Sequence, residues 1–261
     1  MESRKTAGLP WGQQGEPVTE AEVEDLPAAA RRYLRFMGVI GRPRDWSFRA
    51  RFLGRFRRRP GGSWMPAEAW QYNSAVEIAR VFVMRVRLAQ VVPMVARDTY
   101  LRGRGQMLGK LGGLVTVVDG TGEEFDHSEL VIWLNDAVLL APSMLLGPAI
   151  SWTEVDDQCF DVALTDRGPT VTARVFLDER GAPVDFRADR YATLPSGLVL
   201  APWRTPVESW DLVPGRPLPG PALVLYDLPD GPYPYIQGRF VPGSVAYNVP
   251  PGRSVAGKRG S

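Results

Sequence analysis

Thiol and imidazole groups are nearly missing from this chain, which has one cysteine, Cys159, and one histidine, His127, among its 261 residues. A lone thiol forms no internal disulfide and offers no metal-ligand spacing, and a lone imidazole excludes a multi-histidine metal site. Charge of one sign is lacking too. Lys and Arg number 31 against 29 Asp and Glu, a formal +2, too weak a field for a dedicated nucleic-acid or membrane-surface binder. No apolar run approaches the roughly 20 residues of a bilayer span. Residues 1–17 carry neither an apolar signal core nor a small-residue cleavage site. The expected setting is therefore the cytoplasm, with no cofactor, no metal, no nucleic acid and no membrane span.

What is present is apolar area. Hydrophobic residues make up 44% of the chain, enough to bury a full core without metals or disulfides. Large β folds of this length form one unit, so a single domain over 18–249 is expected between polar, Gly- and Pro-rich tails at 1–17 and 250–261. Thr19 and Glu22 have the spacing of a capping box. Ala30, Tyr33, Leu34 and Met37 then recur at helical intervals before Gly38, which predicts one helix through Met37.

From Trp46 the period changes to two: Trp46, Phe48, Ala50 and Phe52 share one face, and Ser47, Arg49 and Arg51 the other. Further strands are predicted at 67–72, 79–88, 95–101 and 111–118, and the run 79–88, apolar on both sides until Arg85, reads as a central strand covered on both faces. A second helix runs through Leu130, Trp133, Leu134, Ala137, Val138 and Ala141, with Asp126 or Ser128 as cap and Pro142 as its end or bend. The apolar segment 144–146 behind it reads as a lid or plug. Beyond Ser151 an antiparallel meander is expected at 160–165, 170–177, 183–191 and 198–210. Pro214, Pro217, Pro219 and Pro221 then interrupt pairing before last strands at 223–226 and 235–241. The fold class is mainly β (α+β), a curved antiparallel sheet or open β-barrel.

Familiar catalytic signatures fail. Gly103, Gly105, Gly109, Gly112 and Gly113 invite a nucleotide reading, but Leu111 follows Gly109-Lys110 where a phosphate loop needs Ser or Thr, and Leu108 stands where the dinucleotide pattern needs glycine. Bends in a curved sheet explain these glycines better. The basic run Arg55, Arg57, Arg58 and Arg59 reads first as the solvated face of a hairpin ending at Gly61-Gly62, and second as an anion site. His127 beside Asp126 suits capping or exposure. Ser143, Ser196 and Ser244 lack a nucleophile-elbow context, so triad hydrolysis is not expected. Cys159 reads as a small buried apolar residue.

More informative are polar residues set among aromatic strands: Glu68 near Trp70, Asp98 beside Tyr100, Arg190 with Tyr191, and Glu208 next to Trp210. A carboxylate facing an apolar cavity would have its pKa raised by desolvation and suit proton transfer or the orienting of a carbonyl. The plainer alternative is an internal ion pair, Arg190 with Asp98 or Glu208, that only stiffens the barrel. Eight tryptophans, eight tyrosines and ten phenylalanines supply more rigid apolar area than one compact core requires, enough to line a pocket.

The run Tyr100-Leu101-Arg102-Gly103-Arg104-Gly105-Gln106-Met107 resembles an uncharacterised bacterial family known as a domain of unknown function. Leu26-Pro27, Arg32-Tyr33-Leu34, Gly38, the helix from Glu129-Leu130 to Pro142, Trp152, Arg190-Tyr191, Pro202-Trp203 and Pro219 fall in with that pattern, over roughly residues 25 to 240. The resemblance implies a curved sheet with two or three helices on its concave side, similar to bacterial lipoprotein-carrier and lipid-binding half-barrels that hold acyl chains. The family helix reads Arg-Tyr-Leu-Ala-Glu where this chain has Ile132-Trp133-Leu134-Asn135-Asp136, so part of a charged pair is lost.

By subtraction, the leading reading is a cavity protein that binds a bulky hydrophobic small molecule and acts as a cofactor-independent cyclase or isomerase of a biosynthetic, polyketide-like intermediate. The alternative is a non-catalytic lipid or hydrophobic-ligand carrier, and the third reading is a protein-interaction module. The candidate catalytic residues are Glu208 or Asp98 as proton handler and Arg190 to orient an oxygen. Tyr100, Trp203, Tyr191, Trp210, Trp133 and Met144 are the candidate ligand-binding residues. Ligand identity and oligomeric state stay open at this level.

Overall fold

The computed structural model describes residues 15–88, 92–213, 216–241 and 243–251. Of the expected tails, residues 1–14 and 252–261 lie outside the described residues, as does Pro214 of the proline-rich stretch. Six strands come first, β1 (Ser47–Phe56), β2 (Met65–Ser74), β3 (Ala79–Leu88), β4 (Val92–Leu101), β5 (Arg104–Leu111) and β6 (Val115–Thr121), each antiparallel to the one before. A second series follows a long helix: β7 (Ile150–Asp156), β8 (Cys159–Thr165), β9 (Thr170–Leu177), β10 (Pro183–Leu194) and β11 (Gly197–Arg204). The short pair β12 (Trp210–Val213) and β13 (Arg216–Pro219) stands apart as its own sheet, after which β14 (Ala222–Leu228) and β15 (Gly231–Phe240) rejoin the main one. The two-residue strand β16 (Ala246–Tyr247) pairs with β1.

Pairing of β15 with β1 fuses the two series into one curled half-barrel, in the order β6-β5-β4-β3-β2-β1-β15-β14-β11-β10-β9-β8-β7. The edges β6 and β7 are therefore consecutive strands of the chain, and the link between them has to span the open side of the curl. That link is α2 (Glu123–Leu140), which packs against strands of both series, β5 and β10 most of all. From Ser128 to Leu140 every residue of α2 is buried. A helix enclosed on all sides has no polar face, and the apolar residues of this one go all the way round. The smaller helix α1 (Ala28–Phe36) closes the far side over β7 and β8, where the Tyr33 hydroxyl donates to the Val138 carbonyl of α2 at 2.8 Å.

Several sequence expectations change here. The Thr19–Glu22 capping box exists, with the Thr19 amide donating to Glu22 Oε1 at 2.9 Å, but it opens only a 3-10 turn, Ala21–Val23. Pro27 disfavours helical geometry at Leu26, so the α-helix starts anew at Ala28. The predicted strand at 111–118 is two strands joined by a turn at Gly112 and Gly113, both at positive φ. β3 is central but not covered on both faces: Arg80, Met84 and Val86 are buried, whereas Val81 and Val83 on the convex side are only half-buried. The strand expected at 198–210 ends at Arg204, and Trp210 begins β12. β7 was not expected at all, because its residues beyond Trp152 are exposed and carry no apolar alternation.

Asp126 and Ser128 lie inside α2, not ahead of it. The helix begins after Gly122, whose φ of 119° belongs to the region glycine favours. Asp126 instead accepts from the Gly105 amide at 2.6 Å and from Arg104 at 3.0 Å, tying the helix start to β5. Gly105 is required there, since a Cβ would run into the Phe125 carbonyl. The segment 144–146 is no lid: Pro142–Leu145 form a buried 3-10 turn, and Met144 and Leu145 belong to the main core.

Candidate functional site

The inner faces of the strands alternate with the convex face, so each cross-strand row contributes one residue per strand to the interior. One such row runs Phe52, Ala69, Met84, Ala96, Gly109 and Val118, from β1 to β6. Two alanines and a glycine leave this wall thin, and α2, which packs closely on β5 and β10, touches β2 and β3 only lightly. The result is a cavity of about 600 Å³ between helix and sheet. Phe52, Phe56, Phe82, Met84, Met94 and Met107 line it on one side, with Ile132, Leu139 and Leu140 from α2. Trp203, Val224, Tyr226, Tyr235 and Ile236 line the other. The exposed residues Arg58, Arg59, Val117, Pro195 and Leu198, which also line it, mark the rim.

One part of the wall is charged. Arg80 of β3 is buried and donates to Asp136 Oδ2 at 2.8 Å and to Glu129 Oε2 at 3.0 Å, and Asn73 adds a bond to Asp136 at 3.2 Å. Arg190 of β10 donates to the Ser128 carbonyl at 3.3 Å and to the Tyr226 hydroxyl, and its other nitrogen lies 3.6 Å from Glu129 Oε1. The Tyr226 hydroxyl donates onward to the Tyr191 carbonyl at 2.9 Å. Trp203 closes the surround, its Nε1 donating to the Tyr235 hydroxyl at 3.0 Å. Asp98 of β4 lines the cavity with a buried Oδ1 that has no hydrogen-bond partner among the described residues.

Burial raises the Asp98 carboxyl above its ordinary range against the pull of Arg80 and Arg190. Burial, and then the neighbouring Asp98 charge, push Glu129 up to about 7. Burial alone would lower the Arg80 pKa, but Asp136 and Glu129 outweigh it and hold the guanidinium charged.

The sequence candidates separate cleanly in space. Asp98, Arg190, Trp203 and Tyr191 meet at the cavity. Tyr100 is fully buried below it, donating to Asp166 at 2.9 Å, and Trp133 is packed in the core with its indole nitrogen on the Ser74 carbonyl at 3.0 Å. Met144 is core as well, and Trp210 stacks edge-on against Phe36 and donates to the Pro183 carbonyl at 2.8 Å. Glu208 is exposed, away from the cavity lining, because Val207 and not Glu208 takes the inward position after β11. Arg190 pairs with Glu129, not with Glu208. Glu68 is on the convex face with Arg51, at 2.6 Å. His127 is partly buried, one nitrogen 2.9 Å from the Asp189 carbonyl.

Arg80, Glu129 and Asp136 were missed by the sequence reading. Their signal was present: each is a charge inside or beside a run too apolar to be a surface, which requires a partner inside the protein. Among the described residues no group of three or more His, Cys, Asp or Glu side chains is placed so that it could hold a metal ion, and no helix is long and apolar enough to cross a membrane.

A family model described as a family of unknown function, DUF6544, matches residues 16–238. Comparison with curated proteins gave no match. Among solved structures the chain is similar to the LolA superfamily protein NE2245 from Nitrosomonas europaea, at 12% identity over 81% of this chain and 91% of that one, with a TM-score of 0.40. It is also similar to a DUF1329 family protein from Desulfovibrio piger (11% identity, 90% and 95% covered, TM-score 0.44). A third likeness is to a β-barrel-like protein of the DUF1849 family from Brucella abortus (12% identity, 78% and 98% covered, TM-score 0.31). At these identities the likeness is one of fold alone.

Proposed function

Since the chain belongs to the DUF6544 family of unknown function, we propose from its own geometry that it binds and carries a hydrophobic small molecule inside the half-barrel. The observation that carries this reading is the cavity of about 600 Å³, walled mainly by Phe, Met, Leu, Ile and aromatic residues. That volume lies within the roughly 300–1,000 Å³ of ligand pockets, and void bounded by apolar side chains is stabilised by an apolar guest.

Cofactor-free cyclisation or isomerisation is the second reading, and what favours it is Asp98 with Glu129, two neighbouring buried carboxyls with raised pKa values. The carrier reading is preferred because Glu208, the other proton handler considered, is outside the cavity, and Arg190 is already engaged by Ser128, Tyr226 and Glu129.

The test is titration with Nile red, an uncharged dye that brightens in apolar surroundings. Saturable binding near one dye per chain is expected, and Ala96→Trp, which fills the cavity from its thinnest row, is expected to abolish it. Binding that does not saturate, or that survives Ala96→Trp in a folded protein, would overturn the proposal. Mass spectrometry of co-purifying compounds after incubation with a cell extract separates the two readings: a carrier returns them unchanged, a cyclase or isomerase returns an isomer.

A further inference from the structure

The cavity is greasy but its charged wall is unbalanced. Asp98, Glu129 and Asp136 set three carboxylates against two guanidinium groups, Arg80 and Arg190. Both arginines are committed: Arg80 spans Glu129 and Asp136, and Arg190 is held by the Ser128 carbonyl, the Tyr226 hydroxyl and Glu129. Neither is left to receive an anion. Among the described residues, the buried polar atoms of this wall without a partner are Asp98 Oδ1, Glu129 Oε1 and Asn73 Oδ1, which accept, and Gln71 Nε2, which donates; the charged ones are both carboxylate oxygens. Leaving a buried acceptor unmade is costly, and leaving a buried negative charge uncompensated costs more.

We propose that the ligand is a cationic amphiphile, a long apolar tail ending in a protonated amine, whose ammonium group docks on Asp98 and brings the cluster to neutrality. This rests on the cavity reading above and specifies its polar end. An ammonium offers three donors and one positive charge, which match the unpaired Oδ1 and the single excess negative charge. Phe82 faces Asp98 across the β3–β4 pair and already carries the Arg80 guanidinium 4.8 Å from its ring centroid, so this part of the wall is one in which cations sit on aromatic rings. A carboxylate or phosphate head would meet like charge there. The opposite orientation, an anionic head held at the rim by the exposed Arg58 and Arg59, is the competing arrangement and is read by the acid arm of the experiment.

Burial favours a proton on both Asp98 and Glu129, and the Asp98 charge favours it further on Glu129, so an ammonium has to compete with protons at this pair. The groups facing the pair are Arg80 from β3, Asp136 from α2, Arg190 from β10, Tyr226 from β14 and Tyr235 from β15. Of the pair, Glu129 is pushed up to about 7 and Asp98 is raised by burial, while burial moves both tyrosines upward from their ordinary value. Amine affinity therefore rises with pH through about 7.

The experiment displaces Nile red from the full chain with dodecylamine, dodecanol and dodecanoate, which share one tail, below their micellar concentrations. At about pH 8 dodecylamine is expected to bind at least tenfold more tightly than dodecanoate, about 1.4 kcal/mol. That preference should shrink toward pH 6. Asp98→Asn should bring the amine to within about threefold of dodecanol, the ratio of the two being the quantity read. If no compound displaces the dye, the cavity reading itself fails. If all three compete but dodecanoate equals or exceeds the amine, or the amine preference ignores pH, the cationic head is refuted while the carrier stands. The pH comparison needs only the natural chain, so it decides the matter even if Asp98→Asn does not fold.

Discussion

The two series of strands face the same helix with different results. Around β8, β9 and β10 the interior is solid: Phe160 opposes Val175, which shares its row with Phe186, and all three are fully buried. Tyr33 of α1 packs on Phe160 at 5.4 Å between ring centroids, and Trp152 on Phe160 at 5.2 Å. Across the molecule, Phe52, Ala67, Ala69, Met84, Val86 and Met94 form a second, smaller apolar cluster, separate from the main core. The cavity lies where the two fail to meet. Apolar strand faces do not suffice to make a filled interior. Where two helices press on the sheet, large side chains interlock; where one helix stands off from a row of alanine and glycine, room remains for a guest.

That contrast breaks most visibly under truncation. Phe160→Ala is expected to cost about 4 kcal/mol, since it opens a void among close-packed rings, whereas Met94→Ala should cost about 2 kcal/mol because one side of Met94 already borders the cavity. Urea denaturation of the two variants checks this, and equal losses would mean that the two regions are packed alike. The charged wall comes next. Arg80→Met should lower stability by about 3 kcal/mol, because Glu129 and Asp136 lose their main counterion inside the protein.

A smaller effect sharpens the same point through pH. Glu129 moves from the ordinary 4.5 to about 7 on folding, so the folded chain holds its proton more tightly than the unfolded one. Stability from this group is full below about 4.5 and is lost as the pH rises through about 7. Denaturation midpoints measured from about pH 5 to pH 8 should show a downward slope for the natural chain and a flatter one for Glu129→Gln. The smallest effect is expected at Glu208→Gln, within about 0.5 kcal/mol in stability and without change in dye binding, as befits an exposed residue outside the cavity.

Much of the fold was legible. The change from helical to two-residue period at Trp46 matches the start of β1, the bounds of β3 and β9 were readable outright, and the existence of α2 followed from apolar residues at helical spacing. The scattered motifs read over roughly residues 25 to 240 agree with the family match at 16–238. The site was legible in pieces only. Asp98 and Arg190 stood out as charges among aromatics, but so did Glu208, and alternation could not tell which of Val207 and Glu208 turns inward. Glu129 and Asp136 share one face of α2, two turns apart, but Arg80 lies on β3, far away in the chain, and nothing local says that it joins them.

By itself the sequence determined that this protein is a mostly antiparallel β fold with two helices, because strand and helix periods are local properties of neighbouring residues. Tertiary structure alone decided that β15 joins β1, that α2 bridges the two edges, and that three carboxylates meet two arginines beside an open space. A cavity is a region that no residue occupies, bounded here by side chains from both series of strands and from α2. Its existence depends on the distance between surfaces, which only the assembled curl fixes.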